Sequence, residues 1–133
     1  MLVLDTHVLV WLDEGSARLG SGARRAIDAA WRRGELAASA ISFWEVATLR
    51  RKGRLDIRVE LVPWRAELLG MGLREIAVTG ESAITAGELA DFHGDPADRM
   101  IVAAARSVEA PLCTADERIL AWLPKRACLN ARK

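Results

Sequence analysis

Met1 to Leu4 is an unbroken apolar run with no turn signal in it, the pattern of a strand buried on both faces in the middle of a parallel sheet. Asp5 ends the run. From Thr6 to Leu12 the apolar residues Val8, Leu9, Trp11 and Leu12 recur at helical spacing, so Asp5 stands where a strand hands over to a helix. In open α/β sheets ligands bind at that edge, outside the carboxyl ends of the strands.

The same alternation continues along the chain. After a loop at 13–16, Leu19, Ala23, Ile27, Ala30 and Trp31 predict a helix over 18–33 that Gly34 stops. Residues 36–40 predict a second strand, and 41–52 a helix through Phe43, Trp44, Ala47 and Leu49 with Gly53 as its stop. A helix over 60–71, a third strand over 73–78 and a helix over 81–92 follow. Pro96 opens another helix, 97–108, whose Ala103, Ala104 and Ala105 let it lie close on a sheet. Residues 112–114 read as a fourth strand, 116–122 as a short helix and 127–130 as a fifth strand. Strands alternating with helices predict the α/β class, a three-layer α/β/α sandwich with a mainly parallel central sheet of four or five strands. With 133 residues and no repeat, linker or low-complexity segment, residues 1–133 read as a single domain.

Composition narrows the function classes. Hydrophobic residues at 51% and charged residues at 28% describe a soluble protein, and a net charge of +1 argues against indiscriminate polyanion binding. Nineteen Lys and Arg against eighteen Asp and Glu still leave room for separate patches of each sign. No leader pattern stands at the N-terminus and no apolar run approaches a membrane span, so a cytoplasmic protein without membrane contact is expected. Cys113 and Cys128 lie in short apolar runs without CxxC spacing or clustered histidines, and read as buried free thiols.

Placed on these elements, four carboxylates fall at equivalent positions. Asp5 follows the first strand, Glu45 and Asp98 lie in the first turns of helices, and Asp116 follows the fourth strand. Each has a competing local reading as a helix cap: Asp5 alone, Ser42 with Glu45 as a capping box, Asp95 with Pro96 and Asp98 as N-cap, N1 proline and acidic first turn, and Thr114 with Glu117 as a second box around Asp116. Caps alone do not explain why all four gather at one sheet edge. Uncompensated carboxylates repel unless a divalent cation sits among them, and hard oxygen ligands suit Mg2+ or Mn2+.

The segments LDTHVLVW, SAISFWEVA, HGDPADRMIVAAA and LCTADERI, in that order and spacing, resemble the motifs of the PIN-domain family, specifically of VapC-type toxin ribonucleases, over nearly the whole chain. The resemblance implies a PIN-like fold and a metal-dependent endoribonuclease, the toxin component of a type II toxin-antitoxin system. It further implies Mg2+ or Mn2+ as cofactor, RNA as substrate, a cognate antitoxin protein as partner and a homodimer. By position, Asp5, Glu45, Asp98 and Asp116 match the family's acidic quartet, with Asp5, Asp98 and Asp116 as metal ligands. Asp95 matches a frequent extra acidic position, supporting the ligands or capping the helix, while Thr6 and Thr114 match hydroxyls that orient carboxylates or water. Ala97 and Gly94 depart from the pattern, which usually has a bulky residue, often Phe, and often Arg at these places; neither change removes a carboxylate.

Metal-assisted phosphodiester hydrolysis needs no histidine. His7 is expected to face away from Asp5 or pack in the first turn, and His93 to be a hydrogen-bonding loop residue. For the polyanion itself, Arg50, Arg51, Lys52, Arg54 and Arg58 form the densest basic run, with Arg32, Arg33 and Arg99 as further phosphate contacts. The five tryptophans are expected in the core, with Trp64 beside Pro63 the one that could join an exposed patch. Two other functions remain open at this point: a catalytically weak PIN-fold module that binds nucleic acid or a partner, and a phosphotransfer protein using Asp5 as nucleophile.

Overall fold

The computed structural model describes residues 1–133. In chain order its elements are β1 (Leu2–Leu4), α1 (Thr6–Glu14), α2 (Ser21–Arg32), β2 (Leu36–Ser39), α3 (Ile41–Arg51), α4 (Leu61–Gly70), β3 (Arg74–Ile76), α5 (Gly80–Gly87), α6 (Pro96–Ser107), β4 (Leu112–Thr114), α7 (Glu117–Trp122) and β5 (Cys128–Asn130). The five strands form one sheet in the order β3-β2-β1-β4-β5, parallel throughout.

Side chains alternate across a strand, and the apolar run of β1 therefore feeds two cores. Leu2 and Leu4, with Leu36, Ala38 and Cys113, pack against Leu9, Ile27, Val46 and Leu68 in one layer. Val3, Ala37 and Leu112 pack against Ile101, Val102, Ala105 and Ile119 in the other. Helices thus cover both faces of the sheet, the three-layer arrangement expected from the sequence.

Strand order fixes where a ligand can enter. From central β1 the chain builds outward to β2 and β3 on one side, then crosses to β4 and β5 on the other. The loops leaving β1 and β4 diverge, which opens a crevice at their carboxyl ends. Leu4 is in register with Cys113, so Asp5 and Thr114 come next, side by side, at the floor of that crevice.

Several boundaries differ from the patterning, each for a physical reason. Helix α1 runs on through Glu14 and ends where Gly15 takes a left-handed conformation, φ 65°, so the expected loop at 13–16 is shorter. Helix α2 begins at Ser21 rather than at residue 18, because the end of the chain lies against its first turn. Gly20 N donates to Ala131 O and Gly22 N to Lys133 O, and a Cβ on Gly20 would stand 2.5 Å from the backbone of Arg132 and Lys133. The helix expected over 81–92 stops at Gly87. Beyond it the Arg99 guanidinium donates from all five N–H groups, to the carbonyls of Ala86, Gly87, Leu89, Phe92 and His93, in place of a helical ladder. Arg99 is therefore committed to this turn, and the phosphate contact expected of it is withdrawn.

Among the tryptophans, Trp64 is buried and donates Nε1–H to Asp13 Oδ2 at 3.1 Å, while Trp44 on α3 is the exposed one, at 55%. The sequence places both at apolar helical positions, and only the tertiary packing separates them. Both cysteines are free; burial of Cys113 pushes its thiol up to about 12, so it is inert at neutral pH.

Candidate metal centre

Asp5 has the extended backbone of an N-cap, φ −66° and ψ 158°. Its Oδ1 accepts from Thr6 N at 2.8 Å and its Oδ2 from Thr114 Oγ1 at 2.6 Å, which ties the ends of β1 and β4 together. Thr114 Oγ1 accepts in turn from Asp116 N at 3.0 Å, and Thr6 Oγ1 donates to Ser42 Oγ at 3.0 Å. Thr6, Ser42 and Thr114 are all fully buried. These hydroxyls fix the entries of α1, α3 and α7 relative to one another at the sheet edge.

The capping reading holds for some carboxylates and fails for others. Asp95 caps α6, its Oδ1 accepting from Asp98 N at 3.1 Å, and Asp116 caps α7, its Oδ1 accepting from Arg118 N and Ile119 N. Neither expected capping box forms. Ser42 is the second residue of α3 and accepts from Thr6, Ala40 precedes that helix without a side-chain cap, and Thr114 belongs to β4. The Asp98 and Glu45 side chains cap nothing, although helix starts surround them. Asp5, the most buried of the carboxylates, caps α1, whereas the nearly as buried Asp98 and the half-buried Glu45 line the cleft with no capping role.

Asp5, Glu45, Asp95, Asp98 and Asp116 line one cleft of about 350 Å³, together with His7, Arg118 and Arg132. Five carboxylates meet two guanidinium groups there. Asp98 is central: its ligand oxygen lies within 4.8 Å of those of Glu45 and Asp95 on one side, and of Asp116 and a ring nitrogen of His93 on the other. Asp5 belongs to neither of these groups and stands behind them. The donors are hard oxygens in excess over their counter-charges, which suits a divalent cation such as Mg2+ or Mn2+ better than a soft metal.

The electrostatics carry the strain of that crowding. Burial raises Asp5 above the ordinary carboxylate range against the pull of its hydrogen bonds to Thr114 and Thr6. Burial, then the charges of Asp5, Asp98 and Asp95, push Glu45 up to about 7. Asp98 is raised to about 6, first by burial and then by Asp5, Asp95 and Asp116, with the His93 hydrogen bond opposing. A carboxylate raised on folding binds more protons in the native than in the unfolded state, so it contributes stability below its unfolded pKa and loses it as pH rises through the folded one. In EDTA the protein should therefore lose stability from about pH 4, the ordinary carboxylate range, to about pH 7. A divalent cation competes with those protons, so its addition should raise the melting temperature more at pH 8 than at pH 5. Thermal melts across pH, with and without Mn2+, check both; a cation effect independent of pH would count against these ligands.

Some site residues escaped the sequence reading. His7 does not turn away from Asp5 but stands exposed at the rim of the cleft. His93 is the hydrogen-bonding loop residue expected from the sequence, and its partner is the central carboxylate, with Nε2 2.7 Å from Asp98 Oδ2. Arg118 Nη2 lies 3.6 Å from Asp116 Oδ2 and 3.9 Å from Asp98 Oδ2, while Arg132 rests over the Trp11 ring at 5.5 Å. Arg118 follows Asp116 by two residues and offered a local signal; Arg132 reaches the cleft only through the docking of β5 and has none. None of Arg50, Arg51, Lys52 and Arg54 lines the cleft, although Leu49 on the same helix does. Within the wider basic run Arg50 donates to Val59 O, Arg58 pairs with Asp56, and Arg33 pairs with Glu35.

Comparison with known proteins identifies relatives of the chain in sequence and in fold. "Ribonuclease VapC22" of Mycobacterium tuberculosis (strain ATCC 25618 / H37Rv) is 36% identical over 119 residues, 89% of this chain and 88% of the relative. A toxin-antitoxin complex from Klebsiella pneumoniae superimposes with a TM-score of 0.69 at 18% identity, covering 98% of each chain. VapBC2 from Rickettsia felis, bound to a DNA fragment from its promoter, gives 0.68 at 16% identity and 97% of each chain. At those identities the two structures establish the fold alone. The PIN domain family itself matches residues 2–122, from β1 with Asp5 to the end of the helix that Asp116 caps, and with a 36% identical relative over most of its length the chain belongs to the PIN domain family.

Proposed function

We propose that this protein is a metal-dependent endoribonuclease, a single domain over 1–133 that acts in the cytoplasm as the toxin of a type II toxin-antitoxin pair. The observation that carries the reading is Asp98, an almost fully buried carboxylate that caps nothing and is shared by two groups of ligand atoms at the switch point of the sheet. Asp98 and Asp116 would hold Mg2+ or Mn2+, with Asp5 behind them keeping a free lone pair on each of its hydrogen-bonded oxygens. A cation held there supplies Lewis-acid charge to the phosphodiester and lowers the pKa of water.

The chain's own groups do the rest. Thr6 and Thr114 fix Asp5, and Asp95 fixes the first turn of α6 under Asp98. Glu45 lines the cleft beside Asp98 and is placed to accept a proton from the attacking water. Arg118 and Arg132 face backbone phosphates at the rim, and Arg51, Lys52 and Arg54 extend the contact beyond it. An Asp5 nucleophile fits poorly, since burial and two hydrogen bonds leave that carboxylate little access to a phosphoryl group.

The 36% identical relative, a ribonuclease, supports the activity, and the toxin-antitoxin complexes among the structural neighbours support a cognate antitoxin as partner. A homodimer completes the proposal and is read by sedimentation. No helix is long and apolar enough to cross a membrane. Incubating the purified protein with RNA in Mg2+, Mn2+ or EDTA tests the function directly. Internal cleavage with either cation and none in EDTA is expected; cleavage that persists in EDTA would remove the metal, and intact RNA under every condition would remove the nuclease.

A further inference from the structure

The segment between α5 and α6 is held more tightly than a turn requires. Arg99 gives all five of its N–H groups to carbonyls in and just before it, including those of Phe92 and His93. Trp122 Nε1 donates to Ala90 O at 3.0 Å, and the Trp122 ring meets the Phe92 ring edge-on at 4.9 Å. The His93 ring stacks on Phe92 at 4.2 Å, with only 26° between the planes. Arg99 thus holds the Phe92 and His93 carbonyls while the Phe92 ring covers one face of the imidazole, and that imidazole ends 2.7 Å from Asp98 Oδ2.

An ionised carboxylate has no proton to give, so His93 donates from Nε2. Asp98 Oδ1 accepts no hydrogen bond from the chain. A carboxylate turns easily about its terminal torsion, which is broad and two-fold, and like charges on Glu45, Asp95 and Asp116 push this one about. One hydrogen bond from a ring stacked on Phe92, on a residue whose carbonyl Arg99 holds, restricts that freedom.

We propose that His93 is a positioning residue for the metal centre: it fixes Oδ2 of Asp98 so that Oδ1 is turned toward the cation. The inference rests on the metal-centre reading above. It adds a member to the site that is neither a ligand nor a proton carrier. Hydrogen-bond partners of ligating carboxylates typically matter tenfold to a hundredfold in metal affinity.

Calorimetric titration with Mn2+ alone, without RNA, tests this on the wild type, His93→Ala and His93→Gln, with melting in EDTA as the control. His93→Ala should bind Mn2+ at least about tenfold more weakly, and His93→Gln, whose amide N–H reaches the same oxygen, should stay within about threefold of wild type. Both should melt in EDTA close to the wild type, and RNA cleavage by His93→Ala should recover at saturating Mn2+. Equal Mn2+ affinity in wild type and His93→Ala would overturn the proposal. So would a His93→Gln variant as weak as His93→Ala, which would make the ring nitrogen itself a ligand, or a matching loss of melting temperature in both variants, which would make the role structural. A wild type that binds no Mn2+ would overturn the metal-centre reading as well, a result distinct from the other three.

Discussion

Asp98→Asn should lower RNA cleavage by about two to three orders of magnitude, the scale of losing one charged group from a preorganised site. The substitution keeps the shape of the side chain, its place in the first turn of α6 and an oxygen for His93, and removes only the charge that two sets of ligand atoms share. RNA binding measured in EDTA should stay equal or tighten, because a negative charge facing a polyanion is gone. Stability in EDTA near neutral pH should hold or rise by about 1 kcal/mol, since a buried like charge among carboxylates destabilises the metal-free fold. A capping role would predict the reverse, but Asp95 caps this helix and Asp98 does not. Cleavage at the wild-type rate by Asp98→Asn would sink the mechanism, and a clear loss of stability would mean that the carboxylate serves the fold.

The part of this centre that was legible in the sequence is the part carried by local patterning. The apolar run of β1 and the helical period after it put Asp5 at a strand-to-helix junction, and Pro96 put Asp98 in a first turn; both positions follow from residues within one turn of the carboxylate. What was misread depends on packing between distant segments. Ser42 with Glu45 has the spacing of a capping box, yet Thr6, 36 residues earlier, engages the serine hydroxyl instead. Arg99 looks like any cation near a nuclease site until the chain after α5 folds back and supplies five carbonyls to it. Arg132 reaches the cleft because β5 pairs with β4 and the residues after it lie against Gly20, a contact that no window of sequence contains. Local chemistry thus named the candidate carboxylates, and long-range packing decided which groups stand beside them.

Replacing Arg51, Lys52 and Arg54 together by Ala should weaken RNA binding and flatten its dependence on salt while leaving the chemical step alone. These three are exposed and make no ion pair, whereas Arg50 and Arg58 of the same run already have partners in the chain and would confound the test. Helix α3 carries Glu45 and Leu49 in the cleft and ends at Arg51, and Lys52 is its C-cap, about 10 Å from Glu45 along the axis at 1.5 Å per residue. Arg54 follows in the turn beyond, so the three exposed cations lie at the far end of the helix that lines the cleft. Each phosphate contact on a single strand contributes roughly 0.7 to the slope of log affinity against log salt, so losing three should reduce the slope by about 2 and the affinity at 50 mM salt by about a hundredfold. Cleavage at saturating RNA should keep the wild-type rate, because none of the three lines the cleft. Arg118→Ala with Arg132→Ala should behave differently, lowering the slope and the rate together, since both groups stand beside the carboxylates. Affinity and single-turnover cleavage over a salt series separate the two sets. An unchanged salt slope in the triple variant would remove α3 from the path of the RNA and leave the rim arginines as its only basic contacts.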